Sequence, residues 1–284
     1  MNISKVCEIV WEKIPEKIIP VSGGSINQTF KVLFPEKTLF VKVNHTGKYP
    51  EMFEKEKNGL LLIARTNSVR TPKPIYIHHY TDGYSYFFIE YIEKGLASTY
   101  YYRQLGENLA KMHRHSNKYF GLDEDNYIGS IPQKNSWNND WVAFFIENRI
   151  SPLFQQAYDT GYFNSNDAKH LEQLYRNLHN IFPKEKPALI HGDLWSGNTM
   201  PDANENPVIY DPAVYYGHRE MDLAMTKLFG GFAPEFYYSY QNAFPLEKGF
   251  DERADIYNLY PLLVHVLLFG FSYVSDVKRI IRKF

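Results

Sequence analysis

LIHGDLWSGNTM, residues 189–200, places a His, an Asp and an Asn within eight residues behind a short apolar run. Three tasks suit Asp193: capping a turn through Ser196, Gly197 and Asn198, holding a metal, or taking a proton. A second apolar run, VIYDP (208–212), ends in Asp211, thirteen residues after Asn198. A neutral amide oxygen at Asn198 and a carboxylate at Asp211 form a hard-oxygen pair of the sort that Mg²⁺ shares with phosphates. Asp193, five residues before Asn198, is then free to accept a proton from a hydroxyl.

Working outward from this loop, four upstream features agree with phosphate chemistry. In TLFVKVN (38–44), Leu39, Val41 and Val43 alternate with Phe40, Lys42 and Asn44, so Lys42 faces away from the valines. A lysine inside an apolar strand requires a phosphate or a carboxylate as partner. In PEMFEKEKNGLLLIART (50–66), helical spacing puts Phe53, Glu56, Leu60 and Ala64 on one stripe, which makes Glu56 the expected partner. Lys31 competes with Lys42 but reads as an edge-strand residue, and Glu54 competes with Glu56 but lies off the stripe. SGGSINQTF (22–30) is a turn whose Gly23, Gly24 and Ser25 can present backbone N–H groups to phosphates, although it lacks the third glycine of G-x-G-x-x-G. FFIEYIE (87–93) leads out of a strand, and the main chain of Glu90 and Ile92 is a candidate for an adenine edge; an ordinary linker is the other reading.

The chain reads as α+β in two lobes, because strands crowd its first third and helices the rest. Residues 1–15 suggest a helix with Ile3, Val6, Ile9 and Val10 on one face, and KPIYIHHYTDGYSYFFIEYIE suggests a hairpin turning at Thr81, Asp82 and Gly83. Later helices offer Leu105, Leu109, Met112 and Ser116 on one stripe, and Trp141, Phe144, Phe145 and Leu153 for the core. ALIHGD and PVIYDPA read as two strands separated by the turn PDANENP. The expected division is 1–91, a β-rich nucleotide lobe, and 92–284, a helical catalytic and substrate lobe.

Charge and composition exclude several classes. The 31 basic and 32 acidic residues nearly cancel, and no run of five like charges occurs, so nucleic acid and anionic membranes are not expected partners. Cys7 is the sole cysteine, which rules out an intramolecular disulfide and fits a reducing compartment. MNISKVCEIVWEKIPEKIIP has neither a basic n-region nor an apolar h-region, and YPLLVHVLLFGF (260–271) is too short to span a bilayer. A cytoplasmic location is expected. The 23 Tyr and 20 Phe are expected to serve the core rather than a binding surface.

The order of Gly turn, strand Lys, helix Glu, hairpin, H-G-D…N and D-P resembles the protein-kinase-like fold over nearly the whole chain. More narrowly, GGSINQTFKV, LFVKVN, MFEKE, TPKPI, LGENLAKMH, NYIGSIPQKNSW, HGDLWSGN and DPAVYYGHREMDLAM resemble the fructosamine (ketosamine) kinase family. The resemblance implies ATP- and Mg²⁺-dependent phosphorylation of a ketoamine at O3. The 3-phosphates are unstable, so the implied role is repair of glycated amines, free or protein-bound. By position, Lys42 binds the ATP α/β-phosphates, Glu56 orients Lys42, Asp193 is the base, and Asn198 and Asp211 hold Mg²⁺. Trp195 is a candidate wall for the sugar or a packing residue of the loop, His218 and Glu220 are candidates to face the sugar or to fix the loop, and Asp222 is expected to bond the loop backbone from below. DPA replaces the DFG of protein kinases, so no activation switch of that kind is expected. Ser25 stands where many relatives carry Cys, so redox control through a loop disulfide is not expected. The competing readings are a kinase for an aminoglycoside or choline, and an ATP-binding pseudokinase. The sugar, its amine carrier and the oligomeric state stay open at this level.

Overall fold

Side-chain alternation decides how the first third packs. The computed structural model describes residues 1–22 and 26–284. Helix α1 (Ile3–Trp11) is followed by β1 (Lys17–Val21), β2 (Gln28–Leu33), β3 (Thr38–His45), α2 (Met52–Ala64), β4 (Pro74–His79) and β5 (Tyr84–Glu90). The strands form one antiparallel sheet in the order β1-β2-β3-β5-β4. Leu39, Val41 and Val43 of β3 pack with Val32, Phe88 and the Ile3, Val6 and Cys7 of α1. Phe87 and Ile89 of β5 pack on the other face with Phe53 and Leu60 of α2. Lys42, opposite the valines, therefore emerges under α2. Each fully buried side chain of this kind contributes about 2 kcal/mol. Burial pushes the Cys7 thiol up to about 12, so it is an inert core residue.

The remainder is mainly helical. α3 (Thr99–His113) starts where the Ser98 hydroxyl accepts the Tyr101 N–H. A short hairpin follows, β6 (Asn126–Ile128) and β7 (Ile131–Gln133), then α4 (Trp141–Phe145), a π-helical turn at Ile146–Ile150, α5 (Ser151–Asp159) and α6 (Ser165–Ile181). Asn164 and Asp167 cap α6 reciprocally. Four three-residue strands come next: β8 (Ala188–Ile190), β9 (Thr199–Pro201), β10 (Pro207–Ile209) and β11 (Tyr215–Gly217). β8 pairs with β11 and β9 with β10, both antiparallel. The chain ends in α7 (Glu220–Lys227), α8 (Pro234–Ala243), α9 (Phe250–Tyr257), α10 (Leu259–Phe269) and α11 (Val274–Ile281). Among the described residues no helix is long and apolar enough to cross a membrane.

Several local expectations need correction. Ile9 and Ala64 are exposed, because the buried stripes run through Ile3, Val6 and Cys7 in α1 and through Met52, Phe53, Gly59, Leu60 and Ile63 in α2. Ser116 lies beyond the end of α3 and is exposed. Lys31 is not on an edge strand: β2 lies between β1 and β3, and the Lys31 ammonium rests 4.1 Å over the Tyr91 ring. The PDANENP turn does not join the two apolar runs directly. It closes β9 onto β10, and β8 finds its partner in β11, so the pairing is non-local.

Candidate active site

The 191–198 loop connects β8 to β9, and the segment 210–214 connects β10 to β11. Pairing of β8 with β11 brings the two connections side by side. The Ala213 N–H donates to the His191 carbonyl at 2.9 Å. Gly192 lies between them with φ +81, and a Cβ there would sit 2.1 Å from the Ala213 oxygen. Only glycine meets both demands.

Asp222, at the start of α7, holds this loop from below. Its carboxylate accepts the backbone N–H groups of His191 (2.7 Å) and Gly192 (2.9 Å), and His113 contacts it at 3.1 Å. That is the bracing expected from the sequence. Asp222→Asn puts an amide donor against these donors and is expected to destabilise the fold by about 3 kcal/mol, read from chemical denaturation. An unchanged unfolding midpoint would refute this role. His191 is fully buried; its Nε2 donates to the Tyr210 carbonyl and its Nδ1 accepts the Asp193 N–H. It braces the loop.

Asp193 faces a cavity of about 580 Å³ between the sheet and the helical part. Asn198 Nδ2 donates to the Asp193 carbonyl (2.8 Å) and to its Oδ2 (2.9 Å). Both partners are acceptors, so the nitrogen is engaged and the amide oxygen of Asn198 is the atom left for other ligands. Loss of solvent pushes the Asp193 carboxyl up to about 7; the Asn198 bond opposes this, and the charges of Asp211 and Asp222 add to it.

Across the cavity, Lys42 is 3% exposed and donates to Glu56 at 2.6 Å and to Asp211. Its desolvation is outweighed by the two carboxylates, which raise its pKa. Burial and the Asp211 charge push Glu56 upward to about 7, with Lys42 opposing. Asp211 has a left-handed backbone, φ +57, and a side chain 44% exposed to the cavity. Glu54, the discarded rival, instead bonds His79 at 2.7 Å. Among the described residues no group of three His, Cys, Asp or Glu side chains holds a metal by itself. The oxygen donors of Asn198 and Asp211 suit a hard cation that takes its other ligands from a bound phosphate.

Other expected site residues fare differently. Gly23, Gly24 and Ser25 lie outside the described residues; the adjoining Ile26 and Asn27 line the cavity. The Glu90 N–H is already given to the Lys73 carbonyl at 2.9 Å, and the Glu90 carboxylate accepts from Arg70, so Glu90 could meet an adenine edge only through its carbonyl. Ile92 is buried, and neither residue lines the cavity. His218 and Glu220 are corrected outright as sugar contacts. His218 is 1% exposed, stacks on Trp141 at 4.4 Å and bonds the Tyr257 hydroxyl at 2.9 Å. Glu220 is fully buried and makes a two-pronged pair with Arg253 at 2.8 and 2.6 Å. Both point into the core because α7 docks on α9.

Trp195, 36% exposed, does line the cavity, with its ring against Gly197. Beside it stand Phe229, His265, Phe269 and Tyr273, with ring centroids 4.7 to 6.2 Å apart. Phe229, Phe269 and Tyr273, expected in the core with the other Tyr and Phe, stand with His265 in the cavity wall. They come from 34 to 78 residues beyond Trp195 with no local motif, so only α10 packing beside the loop reveals them.

Comparison with known proteins agrees with this arrangement. Residues 3–284 match the family model described as fructosamine kinase. A probable ketoamine kinase of Enterococcus faecium is 40% identical over 96% of this chain and 96% of its own length. A chloroplastic protein-ribulosamine 3-kinase of Arabidopsis thaliana is 39% identical over 93% of this chain and 81% of its own. A crystal structure from Haemophilus somnus named as a fructosamine-3-kinase superposes with a TM-score of 0.87 at 30% identity, covering 99% of this chain and 96% of that one. An aminoglycoside phosphotransferase in complex with AMP-PNP and hygromycin B, at 14% identity and a TM-score of 0.70, shares the kinase-like fold. The sheet with Lys42, the braced Asp193 loop and the full-length likeness converge: this chain belongs to the fructosamine kinase family.

Proposed function

We propose that this protein is an ATP-dependent kinase that phosphorylates a ketosamine hydroxyl, O3 by its family, in compounds such as fructosamine or ribulosamine. One observation carries the reading: Asp193 and Asn198 face the Lys42, Glu56 and Asp211 cluster across a single cavity. Asp193 accepts the proton of the attacking hydroxyl, and its elevated pKa makes it a better base near neutrality. Lys42, fixed by Glu56, neutralises phosphate charge, and Trp195 offers a flat apolar face to the sugar. Asn198 Oδ1 and the Asp211 carboxylate would hold Mg²⁺, which when bound supplies charge neutralisation on the phosphates. Phosphorylation at O3 of a glycated amine yields an unstable product, which assigns the enzyme to deglycation repair. A single buried Cys7 accords with a cytoplasmic setting.

A kinase for polycationic aminoglycosides is the second reading. The carboxylates lining the described cavity are Glu56, Asp193 and Asp211, and Lys55 adds a positive charge. The wall beyond Asp193 is aromatic and adds no further carboxylate among the described residues, so it offers a flat apolar face to a sugar but few anionic partners to a polycation. The test is ATP consumption, with Mg²⁺, against a panel of ketoamines, aminoglycosides and choline. Turnover of ketoamines is expected; turnover of an aminoglycoside alone would overturn the reading, and no turnover at all would favour a pseudokinase.

The buried position of Glu220 yields a separate prediction. Glu220→Gln leaves the Arg253 charge with a weakened partner and is expected to destabilise the fold by about 3 kcal/mol, with the ketosamine KM within about twofold. A large rise in that KM with unchanged stability would restore Glu220 as a substrate contact.

A further inference from the structure

The β6–β7 hairpin and the residues flanking it touch both halves of the Lys42 cluster without contributing to it. On one side, Glu124 accepts Lys55 Nζ and Asn58 Nδ2 of α2, each at 2.8 Å. These residues flank Glu56 on the same helix. Tyr127 adds a bond from its hydroxyl to the Pro50 carbonyl at 2.9 Å, just before α2 begins. On the other side, Asn126 Nδ2 donates to the Val214 carbonyl at 2.8 Å, and Gln133 Nε2 to the Ala213 carbonyl at 3.0 Å. Those carbonyls lie two and three residues after Asp211. The polar side chains are tied together: Gln133 and Asn135 both donate to Asn126 Oδ1, and Asn135 also bonds the Glu124 carbonyl. Asn126, Gln133 and Asn135 are at most 6% exposed.

The network has a buried base. Arg149, fully buried on the π-helical turn, donates to Asn135 Oδ1 at 2.7 Å and lies 3.9 Å over the Tyr215 ring. Tyr260 donates to Gln133 Oε1 at 2.7 Å. The side chains of Asn126, Gln133 and Asn135 all have partners, Arg149 Nε has none among the described residues, and a buried polar network satisfied in this way makes the segments it joins rigid. α2 also meets the 210–214 segment directly: a Cβ on Gly59 would lie 3.2 Å from Pro212 and 3.3 Å from Val214.

We propose that Glu124 is a positioning residue for phosphoryl transfer, because it locks the helix bearing Glu56 to the hairpin that also fixes the 210–214 segment bearing Asp211. The separation of those carboxylates then sets where the Lys42 ammonium stands. This rests on the reading of Lys42 as the phosphate-binding lysine. Loss of the Glu124 contact lets α2 drift from Asp211, which impairs the nucleotide and leaves the sugar wall, built from Trp195, α10 and its neighbours, in place.

The experiment is calorimetric titration of ATP with Mg²⁺ into wild type and into Glu124→Ala, Glu124→Gln and Lys57→Ala, with ketosamine kinetics and melting curves on the same samples. Lys57 is an exposed charge on α2 and serves as the control. Expected is an ATP affinity about tenfold weaker for Glu124→Ala and less affected for Glu124→Gln, with the ketosamine KM within about twofold and Lys57→Ala unchanged. Unchanged ATP affinity in Glu124→Ala, a ketosamine KM rising in step, or an equal effect from Lys57→Ala would each overturn the proposal. Wild type that binds ATP but turns over no ketosamine would refute the functional reading alone, and the affinity series would still decide the role of Glu124.

Discussion

Replacement of Asp193 by Asn is expected to lower kcat about a thousandfold while ATP still binds. The substitution is nearly isosteric, and the amide oxygen still accepts from Asn198 Nδ2, so the loop keeps its shape. Only the capacity to take a proton is lost. Removal of solvent, opposed by Asn198 and reinforced by Asp211 and Asp222, raises this carboxyl to about 7, far above an ordinary aspartate. A raised carboxylate pKa has a stability cost of definite sign. The folded chain holds a proton that the unfolded chain releases, so the Asp193 contribution to stability falls as pH rises from about 4 to about 7. Asp193→Asn should therefore melt higher than wild type at pH 8 when nucleotide and metal are absent. ADP release and differential scanning calorimetry measure the two effects. Wild-type turnover in the variant would remove Asp193 as the base, and a lower melting point would remove the burial account.

Replacement of Lys42 by Met is expected to reduce kcat/KM for ATP by about a hundredfold. Met keeps the length and apolar stem of the side chain, so the β3 packing survives. The ammonium that separates Glu56 from Asp211 is lost, and two carboxylates face each other in a partly dry cavity. Nucleotide phosphates would then meet net negative charge. Glu56→Gln is expected to have a smaller effect in the same direction, because Lys42 retains Asp211 and an amide oxygen. Steady-state kinetics over a range of ATP concentrations compare the three proteins. Normal kinetics in Lys42→Met would reject Lys42 as the phosphate-binding residue.

Much of the site was legible because its parts carry local signatures. Lys42 could be oriented from the alternation of β3 alone, since a strand sends neighbouring side chains to opposite faces. Glu56 followed as an acid on an apolar helical stripe, and the structure pairs it with Lys42. Asp222 was recognisable as a loop brace from its place at a helix start after the second functional strand. Glu220 and His218 misled because they share that stretch. Two residues apart on a helix start, Glu220 and Asp222 diverge: Glu220 turns to Arg253 of α9, about thirty residues on, and Asp222 to the loop backbone. The Glu90 amide is claimed by Lys73, a register fact invisible before β4 and β5 are paired.

The sequence by itself determined the two-lobed α+β order, the faces of β3, the identity of the loop residues and, through HGDLWSGN and DPAVYYGHREMDLAM, the family. Those features depend on neighbours a few residues away, where periodicity and steric preference act. Only the packed fold settles that β8 pairs with β11, that Phe229, His265, Phe269 and Tyr273 wall the cavity, and that Asn126, Gln133 and Glu124 tie the Glu56 helix to the segment bearing Asp211. Each of those is a contact between segments tens of residues apart. Its specificity comes from which buried polar groups find partners once the helices have packed, and one-dimensional spacing does not encode that.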